Sequence, residues 1–323
     1  MSRAGEGVDP GDRRRPDRLS DYGPIEYKAI MPTRTGNVAI GFRRLSSDWN
    51  KDLPSLLGWA RQVGFEAVDL NQATPADVAA VRGAGLRLGT VDLIDMGKLL
   101  ATDAGFRTDL IARNVAYVNE MAAAGVKTFF TVLIPGDPTR KRSENYALAV
   151  EAFGPVATAA ADAGVGIAIE GWPGPAPYFA ALCCTPESYR AFIRDTNPKS
   201  VGVNYDPSHL IRLGVDPIRF LREFLPHVHH VHAKDTQLFA DAVYELGLYQ
   251  DSISEARHGY GAHAWRYTIP GHGQTPWTQV LQILRDAKYG GAVSVELEDE
   301  HFNGSEAGER AGLVHSLEYL RSV

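Results

Sequence analysis

Short apolar runs and longer amphipathic stretches alternate along residues 37–321, and the alternation repeats eight times. The runs at 37–42, 67–71, about 86–93, 127–133, 166–170, 201–206, 228–232 and 292–296 have the length and apolar content of strands. Between them apolar residues recur at helical spacing. Leu110, Ile111, Val115, Val118 and Met121 do so in a helix expected over about 105–124. Thr74-Pro75, Thr185-Pro186, Asp216-Pro217 and Thr275-Pro276 mark helix starts, with a capping side chain followed by proline. A last helix is expected over about 306–321.

Eight strand–helix units predict an α/β fold, a (β/α)8 TIM barrel, as a single domain over residues 37–323. An open doubly wound sheet would carry a glycine-rich phosphate loop after its first strand. Phe42-Arg-Arg-Leu-Ser46 stands there instead. Two segments fall outside the repeat. Residues 1–36 contain Arg13-Arg-Arg but no apolar run behind it, which reads as a tail or an arm rather than a signal peptide. Residues 236–274 form a long irregular insertion between the seventh strand and its helix, expected to wall an active site.

Four of the strands share a finer pattern. Side chains alternate between the two faces of a strand. Ile167, Ile169, Val201, Val203, Tyr205, Val231, Val293 and Val295 fill one face. The other carries Gly166, Ala168 and Glu170; Gly202, Asn204 and Asp206; His230 and His232; Ser294 and Glu296. Each strand thus ends its small or polar face in a metal-ligating side chain, which places Glu170, Asp206, His232 and Glu296 together at one mouth of the barrel. Three carboxylates in so small a space repel and cannot all stay ionised unaided. A divalent cation resolves the conflict. A set of three oxygens and one nitrogen suits Mn²⁺ first, with Mg²⁺ or Co²⁺ also matched, better than a structural zinc site. In the tract His227, His229, His230 and His232, alternation expects one ligand, His232. His230 lies a layer deeper and His229 on the other face.

Composition narrows the setting. The chain has 323 residues, 44 % hydrophobic and 22 % charged, with net charge −6. That balance offers no footprint for nucleic acid or an anionic membrane surface. No apolar run approaches the roughly 20 residues that span a bilayer. The two cysteines, Cys183 and Cys184, are adjacent, so no disulfide framework exists and a reducing cytoplasm is expected.

Further candidates surround the four ligands. His209 follows Asp206 in Asp-Pro-Ser-His and can reach a substrate hydroxyl. Lys234 shares the face of His232. Trp172, just after Glu170, can stack on a sugar, and Arg266 and His272 in the insertion can bind substrate oxygens. Glu170 and Glu296 can serve as an acid/base pair on two sides of a bound ligand. One takes the proton from a carbon beside a carbonyl and the other returns it, while a cation steadies the enediolate between the steps. Return on the opposite face is epimerisation, return at the neighbouring carbon is isomerisation, and loss of a β-substituent is elimination.

Ile-Glu170-Gly-Trp, Asn-Tyr-Asp206-Pro-Ser-His209, Val-His232-Ala-Lys-Asp235, Ile-Pro-Gly-His-Gly273 and Val-Glu296-Leu-Glu-Asp resemble the xylose isomerase-like TIM-barrel superfamily, in particular its sugar phosphate isomerase/epimerase group. The resemblance covers residues 37–321. It implies that Glu170, Asp206, His232 and Glu296 bind Mn²⁺ or Co²⁺, that the two glutamates are the acid/base pair, and that His209 touches substrate. Glu170-Gly-Trp172-Pro departs from the Glu-Asn-His continuation of many relatives, so the ketohexose pocket is not carried over. The expected activity is a metal-dependent isomerase or epimerase of a small carbohydrate or cyclitol. The alternatives are a lyase or dehydratase acting on a 3-keto sugar, inosose or keto-glycoside, and a non-catalytic sugar-binding barrel. A homo-oligomer is expected, with a partner subunit also compatible.

Overall fold

The computed structural model describes residues 38–174 and 180–323. The expected N-terminal arm, residues 1–36, lies outside the described residues. Eight parallel strands close into a barrel: β1 (Ala39–Arg43), β2 (Ala67–Leu70), β3 (Arg87–Asp92), β4 (Thr128–Val132), β5 (Gly166–Glu170), β6 (Val201–Tyr205), β7 (Val228–Ala233) and β10 (Ala292–Val295). Each pairs with its neighbour in chain order, and β1 pairs with β10 to complete the ring. The chain is a (β/α)8 TIM barrel.

Helices α1 (Leu53–Val63), α2 (Pro75–Gly83), α3 (Ala104–Ala123), α4 (Arg142–Asp162), α5 (Pro186–Asp195), α6 (Pro207–Arg212) and α7 (Pro217–Phe224) alternate with the first strands. They begin where local chemistry requires. Helix α2 opens on a reciprocal cap in which Thr74 Oγ1 accepts from Asp77 N and Asp77 accepts from Thr74 N. Thr185 and Asp216 cap α5 and α7 in the same region of their sequences. The short α6 lies directly after β6 and follows from Asp206, whose Oδ1 accepts from Ser208 N at 2.8 Å.

Apolar side chains such as Ile167, Ile169, Val203 and Val293 are fully buried on the helix side of the strands. The barrel interior is polar, and small residues make room for it. A Cβ on Gly89 would lie 1.8 Å from Asp69 Oδ1, and one on Gly202 would lie 1.9 Å from the His229 ring. His229 corrects strict alternation. The pairing of β6 with β7 slips so that Val203 faces Val228 while Asn204 faces His230. The extra residue in β7 turns His229 inward over Gly202 and Gly166.

The insertion is not irregular throughout. It contains an antiparallel hairpin, β8 (Asp235–Leu238) with β9 (Trp265–Thr268), and a helix, α8 (Ala240–Leu246), between its arms. Buried Asp235 fastens the hairpin to the barrel, accepting from Thr275 N at 2.9 Å, Thr275 Oγ1 at 2.8 Å and Trp277 Nε1 at 3.2 Å. Helices α9 (Trp277–Asp286) and α10 (Glu306–Ser322) complete the outer layer.

Candidate metal centre

Four strand ends converge at that mouth. Glu170, Asp206, His232 and Glu296 each offer one ligand atom, and these atoms all lie within 4.8 Å of one another. His232 stands between the glutamates, its Nδ1 2.7 Å from Glu170 Oε1 and 3.4 Å from Glu296 Oε2. Asn204, one layer below Asp206 on β6, donates to Glu170 Oε1 at 2.8 Å. Lys234 Nζ donates to Glu296 Oε2 at 2.6 Å and Glu298 Oε2 at 2.9 Å, and lies 3.4 Å from Asp206 Oδ2.

The electrostatics follow from this crowding. Burial and the Glu296 charge push the Glu170 carboxyl up, but His232 and His209 hold it well below the usual carboxylate range. Burial opposes ionisation of Glu296 too, and Lys234, His232 and Arg43 outweigh it. Burial would discharge His232, yet Glu296, Glu170 and Asp69 keep its imidazole well above the ordinary value. Charge at this mouth is therefore concentrated and strongly coupled.

The residues fit a divalent cation. Asp206 Oδ1 caps α6, while its buried Oδ2 has no hydrogen-bond partner among the described residues. His209 Nε2 is likewise buried without one, 3.5 Å from Glu170 Oε2 and 3.4 Å from Asp206 Oδ2. Buried polar atoms left this way are costly unless something unites them. An oxygen-rich set with one imidazole matches a hard divalent ion.

Asp69, His230 and His232 form a second group of ligand type. Asp69 is already engaged: Oδ1 accepts from Thr90 N at 3.1 Å and Ser294 Oγ at 3.0 Å, and Oδ2 accepts from His230 Nε2 at 2.8 Å. His232 Nε2 lies 3.6 Å from the same Oδ2. Asp69 thus backs His232 from below, where an outer carboxylate would orient the imidazole if it held an ion.

The other expected residues separate into two groups. Lys234 and Trp172 line a chamber of about 250 Å³ beside Glu170 and Glu296, together with Phe130, Met96 and Ile134. His209 is buried, its Nδ1 2.7 Å from the hydroxyl of Tyr267 on β9. Arg266 and His272 are not brought to the chamber. Arg266 is held by Gln237 Oε1 at 2.9 Å and Asp299 Oδ1 at 3.3 Å, a bracing role within the hairpin. His272 is exposed on the following turn, its ring 6.4 Å from that of Phe302.

Several contributors escaped the sequence reading. Arg43, at the end of β1, forms a two-point pair with Asp92 at 2.8 Å and lies 3.4 Å from Glu296 Oε1. Arg212 donates to the Tyr267 hydroxyl at 2.8 Å and stacks on Trp265 at 4.3 Å. Asp69 and Arg43 carried a usable signal. Ala67 and Asp69, and Gly41 and Arg43, repeat the small-then-polar alternation of the four ligand strands. Cys183 and Cys184 take no part; both are buried, and burial pushes the Cys184 thiol up to about 12.

Comparisons with known proteins bear on the family and the fold. The model of the family described as a xylose isomerase-like TIM barrel matches residues 57–323. The chain is 33% identical over 135 residues to YfiH of Bacillus subtilis (strain 168), an uncharacterized protein, covering 41% of this chain and 40% of that one. It is 33% identical over 106 residues to inosose dehydratase 1 of Bacillus cereus, covering 32% and 33%. These matches span less than half the length of the relatives. Two solved structures share the fold. One is the E. coli 3-keto-D-glucoside 4-epimerase YcjR, with TM-score 0.63 and 16% identity over 88% of this chain and 99% of that one. The other is a D-psicose 3-epimerase with D-fructose, with TM-score 0.63 and 19% identity over 88% and 98%.

Proposed function

The chain belongs to the xylose isomerase-like TIM barrel family, and from that premise we propose that it is a divalent-metal-dependent isomerase or epimerase of a small carbohydrate. The observation that carries the reading is the convergence of Glu170 and Glu296 on either side of His232, beside a chamber of about 250 Å³. Glu170, Asp206, His232 and Glu296 would hold the ion, Mn²⁺ foremost. Bound there, it would supply Lewis acidity that polarises a carbonyl and acidifies the neighbouring C–H.

The chain's own groups then divide the work. One glutamate removes the proton beside the carbonyl, and the other delivers a proton from its own side. His209 Nε2 and the Lys234 ammonium are hydrogen-bond donors at the same mouth, able to steady oxygens on which negative charge develops. Trp172 and Phe130 give the chamber an apolar flank suited to the C–H face of a sugar ring.

Elimination from the same proton abstraction is the second reading. It is favoured by Lys234 beside Glu296, where an ammonium can hydrogen-bond a departing hydroxyl, and by the partial match to inosose dehydratase 1.

Mass spectrometry of ketohexoses, inososes and 3-keto-glycosides incubated with the Mn²⁺-loaded protein in D₂O tests both. A product of unchanged formula carrying one deuteron supports the isomerase or epimerase. Loss of water or of an aglycone replaces it with the lyase. Absence of exchange across the panel, with and without Mn²⁺, counts against the acid/base roles of Glu170 and Glu296.

A further inference from the structure

Arg43 ends β1, is buried, and is held on three sides. Its Nη1 and Nη2 donate to the two oxygens of Asp92 at 2.8 Å each, a fork that fixes the plane of the guanidinium. The ring of Phe130 covers one face, with Cζ 4.4 Å from the ring centroid. The remaining edge, Nε, lies 3.4 Å from Glu296 Oε1.

The two oxygens of Glu296 therefore have different partners. Oε2 accepts from Lys234 Nζ at 2.6 Å and lies 3.4 Å from His232 Nδ1, on the side of the other ligand-type residues. Oε1 is turned to Arg43. A carboxylate that both holds an ion and moves a proton needs one oxygen for each task. The last torsion of a glutamate is broad and two-fold, so an unrestrained carboxylate exchanges its oxygens. Resting on the acid/base reading of Glu296, we propose that Arg43 is a positioning residue. It keeps Oε1 for the proton while Oε2 stays beside His232. Asp92 and Phe130 fix Arg43 in that role. Lysine does not substitute, because one ammonium cannot fork to Asp92 and present a further donor edge to Glu296.

Two variants test this. Arg43→Met keeps an unbranched stem without the charge. Arg43→Met/Asp92→Leu removes the pair without leaving Asp92 buried and unpaired, and serves where the single variant does not fold. For a sugar that the parent turns over in D₂O, kcat for deuterium incorporation is expected to fall by roughly 10–100-fold in both. KM, and Mn²⁺ affinity by isothermal titration, should stay within roughly threefold of the parent's. Arg43→Lys should stay within roughly threefold of Arg43→Met. Added to Glu296→Gln, Arg43→Met should cost less than roughly twofold more, since residues acting as a unit are not additive. An unchanged kcat, a loss confined to KM, a parallel loss of Mn²⁺ affinity, full additivity or rescue by lysine each overturns the proposal.

NMR reads the contact without turnover. The Arg43 Nε–H signal of the metal-free protein, assigned by its loss in Arg43→Lys, is expected to shift in Glu296→Gln and to hold its place in Glu170→Gln. A signal unmoved by Glu296→Gln, or moved equally by both, overturns the proposal. If no sugar exchanges deuterium even in the parent, the acid/base reading fails, and this signal alone decides whether Arg43 fixes the Glu296 carboxylate.

Discussion

Replacing Asp69 by asparagine tests whether the buried network beneath the proposed ligands serves metal binding. Asp69 is fully buried, and burial opposes its charge, yet His230 and His232 hold its carboxyl well below the usual range. Its two oxygens face donors on both sides: Thr90 N and Ser294 Oγ at 3.1 and 3.0 Å, and His230 Nε2 and His232 Nε2 at 2.8 and 3.6 Å. A carboxamide turns an NH₂ towards one of those pairs. Facing β3, it meets the Thr90 N–H. Facing β7, it takes the acceptor from His230 Nε2. Either way at least one buried donor is left unpaired, at a cost of about 1–3 kcal/mol in stability. His232 also loses the negative charge that orients it, and outer partners of this kind are worth about 10–100-fold in metal affinity. Isothermal titration of the metal-free proteins with Mn²⁺, alongside urea unfolding, reads both effects. A folded Asp69→Asn protein whose Mn²⁺ affinity stays within about twofold of the parent's would refute the supporting role.

Three further changes probe other parts of the site. Glu296→Gln removes a proposed acid/base group and the anionic partner of Lys234 and Arg43; deuterium incorporation should fall by roughly 10²–10⁴-fold, while a loss of only a few fold would remove Glu296 from proton transfer. Tyr267→Phe unties His209 from Arg212 without touching a proposed ligand. kcat/KM should fall by roughly 3–10-fold with Mn²⁺ affinity unchanged, and a parallel drop in affinity would show that the hairpin supports the metal instead. Gly89→Ala sets a methyl group 1.8 Å from Asp69 Oδ1; a fall in unfolding free energy of about 1–3 kcal/mol or more is expected, and an unchanged urea midpoint would contradict the tight interior.

How much of this was legible differs from residue to residue. The helix starts at Thr74, Thr185 and Asp216 were visible because a cap acts over three residues. Glu170, Asp206, His232 and Glu296 were visible because each ends the same alternation on its own strand, and a barrel aligns strand ends. Asp69 shows the other limit. Its partners His230 and Ser294 lie 161 and 225 residues away. A lone carboxylate in an apolar strand reads the same whether it faces a cation, a histidine or water. Arg266 and His272 shared their insertion with Tyr267, and nothing local told which side chains would face the site.

Local pattern was enough for the eight-fold alternation, the helix boundaries and the four strand-end ligand types, since those depend on period, capping and side-chain chemistry acting over a few residues. Long-range packing settled what remained. Barrel closure brought Arg43 to Glu296 and Asp69 beneath His232. A one-residue slip in β7 turned His229 inward. The β8–β9 hairpin brought Tyr267 to His209 while holding Arg266 away from the chamber. Each of these depends on contacts between strands far apart in sequence, and a chain read one residue after another carries no distance between them.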